Sequence, residues 1–448
     1  MDNLVPRLYK EYGLESNERM LPYIIDGLRP SERRVLFSSY EIARDKFKKT
    51  LTVDSNTTGC YHPHGSTAGT IAQLVRRGFL EGQGNFGSDI GTDPDSTKPA
   101  APRYTECKLN DFSKKLCFKL LKYVPTQTAE VDSEKVEPTF LPTMFPICLL
   151  GNKFTEGIGF GYKPVIPCYT IEDLTKRLLY LLKKDKSNPI IKPNVNCQIL
   201  SSEKELENLL TIGKEKILIK GLYEHDPLNK KVIIKSLPPK LRFDTLLKKL
   251  DSELSNEDIS WVDKSSRMYG GTYIEFSVNK QKNIDKIYNN MLNKIDKFLV
   301  STVHFEIIVI DENHKIKKVS VDEFLLKTYE KYKEICQVMF NESIKKLDSF
   351  LNEYENLKKV RPYLVDYLQK NKTINNQKEA IKTISNNSKV EVSIIKNLFS
   401  KYNINKLLSL EVDTNEIEKE KLQYLNYLEK PDKYVLNDYK NFNKGEKK

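Results

Sequence analysis

A glycine- and proline-rich stretch limits the folds open to the first part of this chain. Residues 78–106 hold five glycines and three prolines, which interrupt helices and favour turns or extended backbone. Ahead of it, "PSERRVLFSSYEIARDKF" predicts a helix that begins near Pro30, and "HGSTAGTIAQLVRRGF" predicts a second helix capped by Ser66 or Thr67. Two helices followed by an extended wing are typical of winged-helix proteins that bind DNA.

The middle of the chain has a different texture. Between residues 141 and 319, strand-like runs such as "KEKILIKGLYEH", "KKVIIKSL" and "GGTYIEFSV" alternate with amphipathic patterns such as "TIEDLTKRLLYLLKKDK". Because 448 residues exceed a comfortable single core, we predict a multidomain α+β protein. Its predicted segments are a winged-helix domain (1–140), a mixed α/β domain (141–319), a helical arm (320–435) and a basic tail (436–448).

The predicted arm begins with a long helix. Ser320 and Glu323 have the spacing of a capping box, and about forty residues follow without glycine or proline. Alternating spacings of four and three, which indicate a short coiled-coil seam, relate Phe340, Ile344, Leu347, Leu351 and Tyr354. The capped pattern "DTNEIEKEKLQYLNYLEK" predicts a helix that returns antiparallel to the long one. We therefore expect a coiled-coil arm with a helical dimerisation tip, although an ordinary helical bundle fits the periodicity as well.

The charge of the chain favours an anionic partner. A formal net charge of +12 and a pI near 9.0 suit nucleic acid or an anionic membrane surface, although a lysine- and asparagine-rich composition explains them equally well. Residues 211–250 carry ten basic and four acidic side chains, whereas residues 1–110 carry fifteen and fourteen. The excess therefore lies beyond residue 110, which favours a basic surface for phosphate backbone over a solvated lysine face.

Cysteine usage and the lack of long apolar runs bear on localisation. The seven cysteines form no C-x-x-C pair and no regular framework, as expected for reduced thiols. The N-terminal sequence has no apolar signal-peptide core, and no window approaches eighteen consecutive apolar residues. We expect a cytoplasmic protein with no membrane partner.

Two of the five histidines lie together in "CYHPHGS". Cys60, His62 and His64 could suggest a zinc site, but the sequence pairs no fourth ligand with them. We therefore expect no metal-binding residues in this chain. Imidazoles beside a helix N-terminus suit a phosphate, since the helix end adds backbone N–H donors. A tight turn that only caps the helix is the structural alternative.

Tyr104 directly follows Arg103 in "PAAPRYTECKL". A tyrosine hydroxyl can attack phosphorus and store a phosphodiester bond as a phosphotyrosine, so the step is reversible without a cofactor. A neighbouring arginine stabilises the charge of the pentavalent transition state. With 24 tyrosines in the chain, this pair alone does not single out Tyr104.

A set of motifs in one order gives the stronger argument. The motifs are "RMLPYIIDGLRPSERRVL", "YHPHG", "GQGNFGS" with "PAAPRYTECKL", "LPTMFPICLL" and "GIGFGYKPVIP". In this order they resemble the breakage-and-reunion subunit of type IIA DNA topoisomerases, the family of the gyrase A and topoisomerase IV C subunits. Weaker likeness extends over nearly the whole chain, and it implies that the mixed α/β segment is the family's tower domain.

The resemblance implies a role for each matched residue. Tyr104 would attack a DNA phosphate, leaving a 5'-phosphotyrosyl link and a free 3'-hydroxyl, and Arg103 would stabilise the transition state. Ile158 would insert between base pairs and bend the DNA. The residues implied to contact the scissile phosphate region or the DNA backbone are Arg19, His62, His64, Arg29, Arg33 and Arg34.

Some positions depart from the family pattern. Ser66 and Thr67 stand where the family usually has Asp-Ser, and Ile71 stands at a position that is acidic in bacterial enzymes. Because that serine and acid anchor the water and metal bridge to fluoroquinolones, we expect a weak fluoroquinolone response. The segment "LGNKFTEG" is one residue longer than the family turn, so the backbone near Ile158 is expected to differ.

The resemblance also implies partners. Because the chain contains neither the acidic metal-binding motifs nor an ATP loop, Mg²⁺ and ATP are expected on a B-type partner subunit in an A2B2 complex around a homodimer on double-stranded DNA. No β-pinwheel wrapping domain follows the arm, so relaxation and decatenation are expected rather than negative supercoiling. The compact size resembles that of phage or plasmid-borne enzymes, and the expected location is the cytoplasm, at the nucleoid. The alternative is a DNA-binding scaffold of the same fold that does not cleave.

Overall fold

The computed structural model describes residues 4–87, 98–254, 259–265, 271–279, 282–371, 374 and 376–445. Ser88 of the "GQGNFGS" motif, the centre of the predicted wing and the end of the predicted tail lie outside the described residues. Internal contacts divide the chain into two compact units, Met1–Tyr332 with Tyr439–Lys448 and Lys333–Asp438. The division into four segments stays a prediction.

The first part of the larger unit combines helices with a small sheet. Its elements are α1 (Leu4–Met20), α2 (Pro30–Ile42), β1 (Lys48–Lys49), α3 (Thr50–Cys60), α4 (Ala68–Arg76), β2 (Leu80–Gln83) and β3 (Glu106–Leu109). Strand β3 lies between β1 and β2 and is antiparallel to both. The predicted helices α2 and α4 and the extended start of the glycine-rich stretch are therefore confirmed.

Helix α3 was not predicted from the sequence. Its residues "TLTVDSNTTGC" include many threonines, a valine and a glycine, which are weak helix formers. Val53 and Thr57 are nonetheless fully buried, because α3 packs between α2 and α4. The Thr57 hydroxyl also donates to the Val53 carbonyl oxygen at 2.7 Å. Tertiary packing therefore overrides the weak propensity.

The rest of the larger unit combines helices with antiparallel sheets. The sequence pattern predicted the mixture of helices and strands but not the direction of the strands. Its elements are α5 (Asp111–Ser113), β4 (Thr126–Thr128), β5 (Val136–Pro138), β6 (Thr155–Glu156), β7 (Val165–Ile166), α6 (Ile171–Leu181), β8 (Gln198–Ile199), α7 (Glu203–Ile212), β9 (Lys214–Lys220), β10 (Tyr223–Asp226), β11 (Lys231–Ile234), α8 (Phe243–Leu254), β12 (Ile259–Asp263), β13 (Ile274–Val278), α9 (Ile284–Phe298), β14 (Val300–Glu306), β15 (Ile308–Ile310) and β16 (Ile316–Lys318).

Two of these sheets carry most of the core of this region. One has the strand order β6-β7-β14-β9-β8, with α7 packed against β9. The other has the order β10-β11-β13-β12, and its buried face contacts apolar residues of α8 and α9, including Leu246 and Met291. Among the helices of the described ranges, none is both long and apolar enough to cross a membrane.

The smaller unit is helical. Its elements begin with α10 (Val321–Asn371), whose start up to Tyr332 belongs to the larger unit, and continue with α11 (Gln377–Ser388), α12 (Val392–Lys401), α13 (Ile404–Ser409), α14 (Thr414–Glu429) and the start of α15 (Pro431–Gly445). The Ser320 hydroxyl accepts from the Glu323 N–H at 3.0 Å, which confirms half of the predicted capping box. The Glu323 carboxylate pairs with Lys317 instead.

Helix α14 returns antiparallel to α10. The ring of Phe340 lies 5.4 Å from that of Tyr427, and Asp348, two turns further along α10, pairs with the earlier Lys421. In the predicted seam, Phe340 is fully buried. The coiled-coil assignment itself stays a prediction, because these pairs establish only the direction of the two helices.

The segment predicted as a basic tail is largely helical. Helix α15 continues to Gly445, and Tyr439 and Phe442 are buried. Tyr439 packs edge-on against Phe145, with 5.0 Å between the ring centroids. The lysines of this segment alternate with apolar residues at helical spacing, and its described part is a packed helix.

Candidate functional site

Tyr104 lies on a short turn that is tied to the start of α3. It ends a single 3-10 turn, Pro102–Tyr104, and the next residue, Thr105, is held in two ways. The Thr50 N–H donates to the Thr105 carbonyl oxygen (2.9 Å), and the Thr105 hydroxyl donates to that of Thr50 (2.8 Å). Thr105 is buried while the Tyr104 side chain is 65% exposed, so a fixed backbone presents the phenol to solvent.

Arg103 lies beside this phenol. Its guanidinium carbon is 4.6 Å from the centroid of the Tyr104 ring, within the range of a cation–π contact. A guanidinium at this distance can stabilise a phosphate that approaches the phenol oxygen, because it offers several N–H donors and a permanent charge. The structure thus brings the first predicted pair together.

A second group of predicted residues lies at the other end of α3. The His62 N–H bonds the Thr57 carbonyl oxygen at 2.8 Å, and the rings of His62 and His64 are 5.4 Å apart. Arg19 Nη1 lies 3.1 Å from Nδ1 of His64. Since arginine can only donate, Nδ1 accepts, and the neutral imidazole carries its proton on Nε2. His64 is therefore held as an N–H donor.

This second group lies around a cavity of about 450 Å³. The predicted residues that line it are Arg19, Arg33, Arg34, His62 and His64. Neither Arg103 nor Tyr104 is among the described residues that line it. The eleven residues of α3 separate the two groups, and at 1.5 Å per residue that helix is about 16 Å long. Within one chain, therefore, the tyrosine and the histidines lie at different places.

Arg33 and Arg34 are engaged with buried carboxylates. Arg33 bonds both oxygens of Asp26 (2.7 and 3.1 Å), and Arg34 bonds both oxygens of Glu137 (2.9 Å each). Burial by itself would lower the pKa of each arginine, but the paired carboxylates outweigh it and the pKa of each is raised. Both stay charged, and their first role in this structure is to hold the cavity wall together.

His62 is held in its neutral form. Burial lowers its pKa, and the charge of Arg34 lowers it further. Its Nδ1 atom is buried and lacks a hydrogen-bond partner among the described residues. A buried polar atom of this kind costs free energy unless a ligand or water satisfies it, so the ring suits a cavity that binds a polar group.

Arg29 and Ile158 belong to another part of the surface. Ile158 lies in the hairpin between β6 and β7, and its side chain is 72% exposed. The guanidinium of Arg29 donates to the carbonyl oxygen of Glu156 in the same hairpin. Arg29 also lines a smaller cavity of about 240 Å³ with Arg76, Arg77 and Lys153, a grouping of cations that the sequence motifs did not include.

Several carboxylates of the site were also missed. Glu130 pairs with Arg34 (2.7 Å) and lies 3.9 Å from Nε2 of His64. Asp54 accepts from the hydroxyls of Ser66 (2.7 Å) and Thr67 (2.8 Å). The Thr67 hydroxyl, predicted as a possible helix cap, is thus used to fix the turn after the histidines, while Thr67 itself occupies the N-cap position of α4.

The described residues do not form a metal site. No group of three or more His, Cys, Asp or Glu side chains in these ranges is arranged to hold an ion. The Cys60 thiol lies 3.8 Å from the side-chain oxygen of Asn56. We therefore derive no catalytic step from a metal held by this chain.

The comparisons with known proteins bear on the whole chain. The family of the A subunit of DNA gyrase and topoisomerase IV matches residues 19–447. Similar curated proteins include the A subunit of DNA topoisomerase 4 from Staphylococcus epidermidis, which is 25% identical over 92% of this chain and 59% of its own length.

Two further relatives match shorter parts. The A subunit of DNA topoisomerase 4 from Escherichia coli is 28% identical over 55% of this chain and 34% of its own length. The DNA gyrase A subunit of Mycoplasma genitalium is 30% identical over 59% of this chain and 34% of its own length. The chain thus covers 59% of the length of the first of these relatives and 34% of the length of each of the other two.

Proposed function

Because the chain belongs to the family of the DNA gyrase and topoisomerase IV A subunits, we propose that it is the DNA-cleaving and religating subunit of a type IIA topoisomerase. It makes a transient double-strand break, one strand for each copy of the chain, and a second duplex passes through. The proposed outcome is relaxation or decatenation of DNA in the cytoplasm, at the nucleoid.

Tyr104 carries the proposed chemistry. Its phenolic oxygen attacks a backbone phosphorus, the new Tyr–O–P bond replaces the P–O3' bond, and the 3'-oxygen leaves and takes up a proton. Religation is the reverse: the 3'-hydroxyl attacks, and Tyr104 is the leaving group. No net oxidation or co-reactant is needed, because one phosphodiester is exchanged for another. Arg103, beside the phenol, stabilises the added negative charge of the transition state.

The observation that carries this proposal is the exposed phenol on a fixed turn under a guanidinium. Tyr104 is 65% exposed, and Arg103 lies over its ring at 4.6 Å. The ring is therefore available to a large substrate such as duplex DNA, which could not enter an enclosed pocket.

The separation of the two groups supports a homodimer. Tyr104 and the histidines lie at opposite ends of α3, about 16 Å apart by its length, so one copy cannot bring both to a single phosphate in this conformation. In the proposed homodimer, Tyr104 of one copy attacks a phosphate that Arg19, His62 and His64 of the other copy hold. The Nε2–H of His64 and the charge of Arg19 suit that phosphate.

DNA is proposed to cross the surface that carries Ile158. This exposed apolar side chain inserts between base pairs and bends the duplex, while Arg29, bonded to the same hairpin, offers charge to the backbone. Arg33 and Arg34 are proposed to add positive potential beneath the phosphates, since their own hydrogen bonds are made to Asp26 and Glu137. We also propose that α2, α4 and the β1-β3-β2 sheet form a winged-helix domain and that the 141–319 region is a tower domain.

The proposed partner holds the metal and the nucleotide. We place Mg²⁺ and ATP on a B-type subunit, with two copies of each chain in the complex and with dimer contacts at the tip of the helical arm. When bound, Mg²⁺ supplies charge stabilisation at the scissile phosphate. The residues of this chain bind, orient and attack the DNA.

The test is cleavage of end-labelled duplex by this chain and a candidate B-type subunit in the presence of Mg²⁺ or Ca²⁺. We expect wild type to form a protein-linked 5' end and Tyr104→Phe to form none. Tyr363→Phe, which changes another tyrosine that is 40% exposed, should cleave like wild type. Cleavage by Tyr104→Phe would show that another residue is the nucleophile.

A scaffold that binds DNA without cleaving it is the second candidate. It is favoured by the carboxylates that line the cavity beside its arginines, Glu15, Glu18, Glu130 and Glu137, since these compete with phosphate. If both wild type and Tyr104→Phe bind DNA tightly and neither cleaves it with any active B-type subunit, the scaffold becomes the better description.

A further inference from the structure

We propose that Asn17 of α1 is a positioning residue that holds the Ile158 hairpin in place, so that the isoleucine can act as a rigid wedge in DNA. The inference rests on the proposed function, because it assumes that Ile158 enters the base stack. It adds a residue of α1 that no motif match assigned.

The contact between α1 and the hairpin is direct. The side-chain amide of Asn17 donates to the Phe160 carbonyl oxygen at 3.1 Å. Asn17 is 3% exposed although it is polar. The bond itself is partly buried, and the Oδ1 atom of the same amide is buried without a partner among the described residues. Loss of the bond would leave the whole amide unpaired, which is costly in a buried position. The bond ends two residues from Ile158.

The hairpin also lies unusually close to α1. A Cβ added to Gly159 would collide with Oδ1 of Asn17. A Cβ added to Gly13 would be 2.9 Å from Cδ1 of Phe160, a separation that side chains do not tolerate. Two glycines, one on each element, therefore allow the backbones to meet, and Asn17 fills the space between them.

Aromatic contacts complete the support. The ring of Phe160 meets Tyr9 edge-on at 5.0 Å and Tyr12 at 6.2 Å between centroids. Such edge contacts add to the area that Phe160 buries. Phe160 is thus anchored on α1 on one side of the hairpin tip, while the neighbouring Ile158 is left 72% exposed.

In this arrangement Phe160 is held against α1, while Ile158 is exposed to solvent. Inserting a side chain into a duplex requires two base pairs to unstack, which costs free energy. A hairpin that moves away under that load would leave the bases stacked. Asn17 opposes such movement, because a displacement of Ile158 away from the DNA would also move Phe160 and break its hydrogen bond with the Asn17 side chain. DNA affinity, by contrast, comes mainly from charges on phosphates and should not depend on Asn17.

Two substitutions test the contact by different physical routes. Asn17→Leu keeps the approximate size and branching of the side chain but removes the amide donor without adding a charge. Gly159→Ala keeps the donor but forces Asn17 out of its place. The matched controls are Ser16→Ala, which changes the preceding position of α1, and Gly59→Ala, where no atom lies within 4 Å of the added Cβ.

The experiment measures bending and affinity separately on the full chain with its B-type subunit. A duplex with a donor and an acceptor dye at its ends reports the bent fraction at saturating protein, and anisotropy of the same duplex reports Kd. We expect Asn17→Leu and Gly159→Ala each to lower the bent fraction roughly threefold with Kd changed less than about twofold, since phosphate contacts remain. The two controls should match wild type in both readouts.

Ile158→Ala separates the possible failures. If it bends DNA as well as wild type does, there is no wedge, and the proposed role of Ile158 and this inference both fall. If it loses bending while Asn17→Leu and Gly159→Ala bend normally, the wedge stands and the positioning role of Asn17 is overturned. Equal loss of bending and affinity in these two variants would also overturn it, since that is the pattern of a general folding defect.

Discussion

Glu130 is the carboxylate whose removal should most directly strengthen DNA binding. It reaches Arg34 at 2.7 Å and lies 3.9 Å from Nε2 of His64, which is the place that a phosphate oxygen would take. In the proposed complex this carboxylate must therefore move aside or repel the backbone. Glu130→Gln keeps the size of the side chain and removes its charge.

The size of the effect follows from exposure. Two unit charges 4 Å apart interact with about 1 kcal/mol in water and about 4 kcal/mol at a protein surface of intermediate polarity. The Glu130 side chain is 48% exposed, so the lower value applies. A change of about 1 kcal/mol corresponds to roughly fivefold in Kd. Glu137 would not serve as well, because its side chain is 5% exposed and holds Arg34 in place.

The assay is fluorescence anisotropy of a labelled duplex at two salt concentrations. We expect Glu130→Gln to bind about fivefold more tightly at low salt, with a smaller gain at high salt because screening weakens surface charges. Glu134→Gln, an exposed change on the same β4–β5 loop, is the control for net charge. Equal gains for the two variants, or weaker binding by Glu130→Gln, would refute the proposed competition between Glu130 and phosphate.

Three further outcomes are expected. Asp26→Asn should lower the free energy of unfolding by roughly 3 kcal/mol in urea titrations, because it leaves Arg33 buried without its counter-charge; a loss below about 1 kcal/mol would contradict this. Since the pKa of folded His62 is lowered from 6.5, the unfolded chain takes up its proton first, and stability should fall as pH drops below about 6.5, less so in His62→Gln. Ciprofloxacin should trap little cleaved DNA, because Ile71 replaces an acidic residue; trapping at concentrations that act on bacterial enzymes would count against that.

How much of the fold the sequence predicted depended on local signals. Helix α2 starts with Pro30, whose fixed φ and missing N–H suit the first helical position, and α4 buries Ile71, Ala72 and Leu74 on one face. Both could be recognised from short windows. Helix α3 could not, because its threonines and glycine argue against a helix and its stability comes from α2 and α4, which a local window does not contain.

The same limit applies to the site. The motif order predicted Tyr104 and the cationic residues as candidates, but it could not indicate which cations are already paired. Arg34 and Glu137 are 103 positions apart, and nothing in either neighbourhood relates the two. Asn17 was missed for a similar reason: its partner, Phe160, lies 143 positions away, and none of the motifs quoted above includes it.

The pairing of the arginines assigns different tasks to residues that the motifs treated alike. Arg33 is bound to a carboxylate with no exposed surface, Asp26, and releasing it to reach a phosphate would leave that charge buried and alone, at a cost of several kcal/mol. Arg19, by contrast, is bonded to a neutral imidazole, that of His64, and breaks no ion pair there when a phosphate arrives. In the proposed complex, the inner arginine therefore holds the floor of the cavity, and Arg19 and His64 are the residues proposed to contact the phosphate.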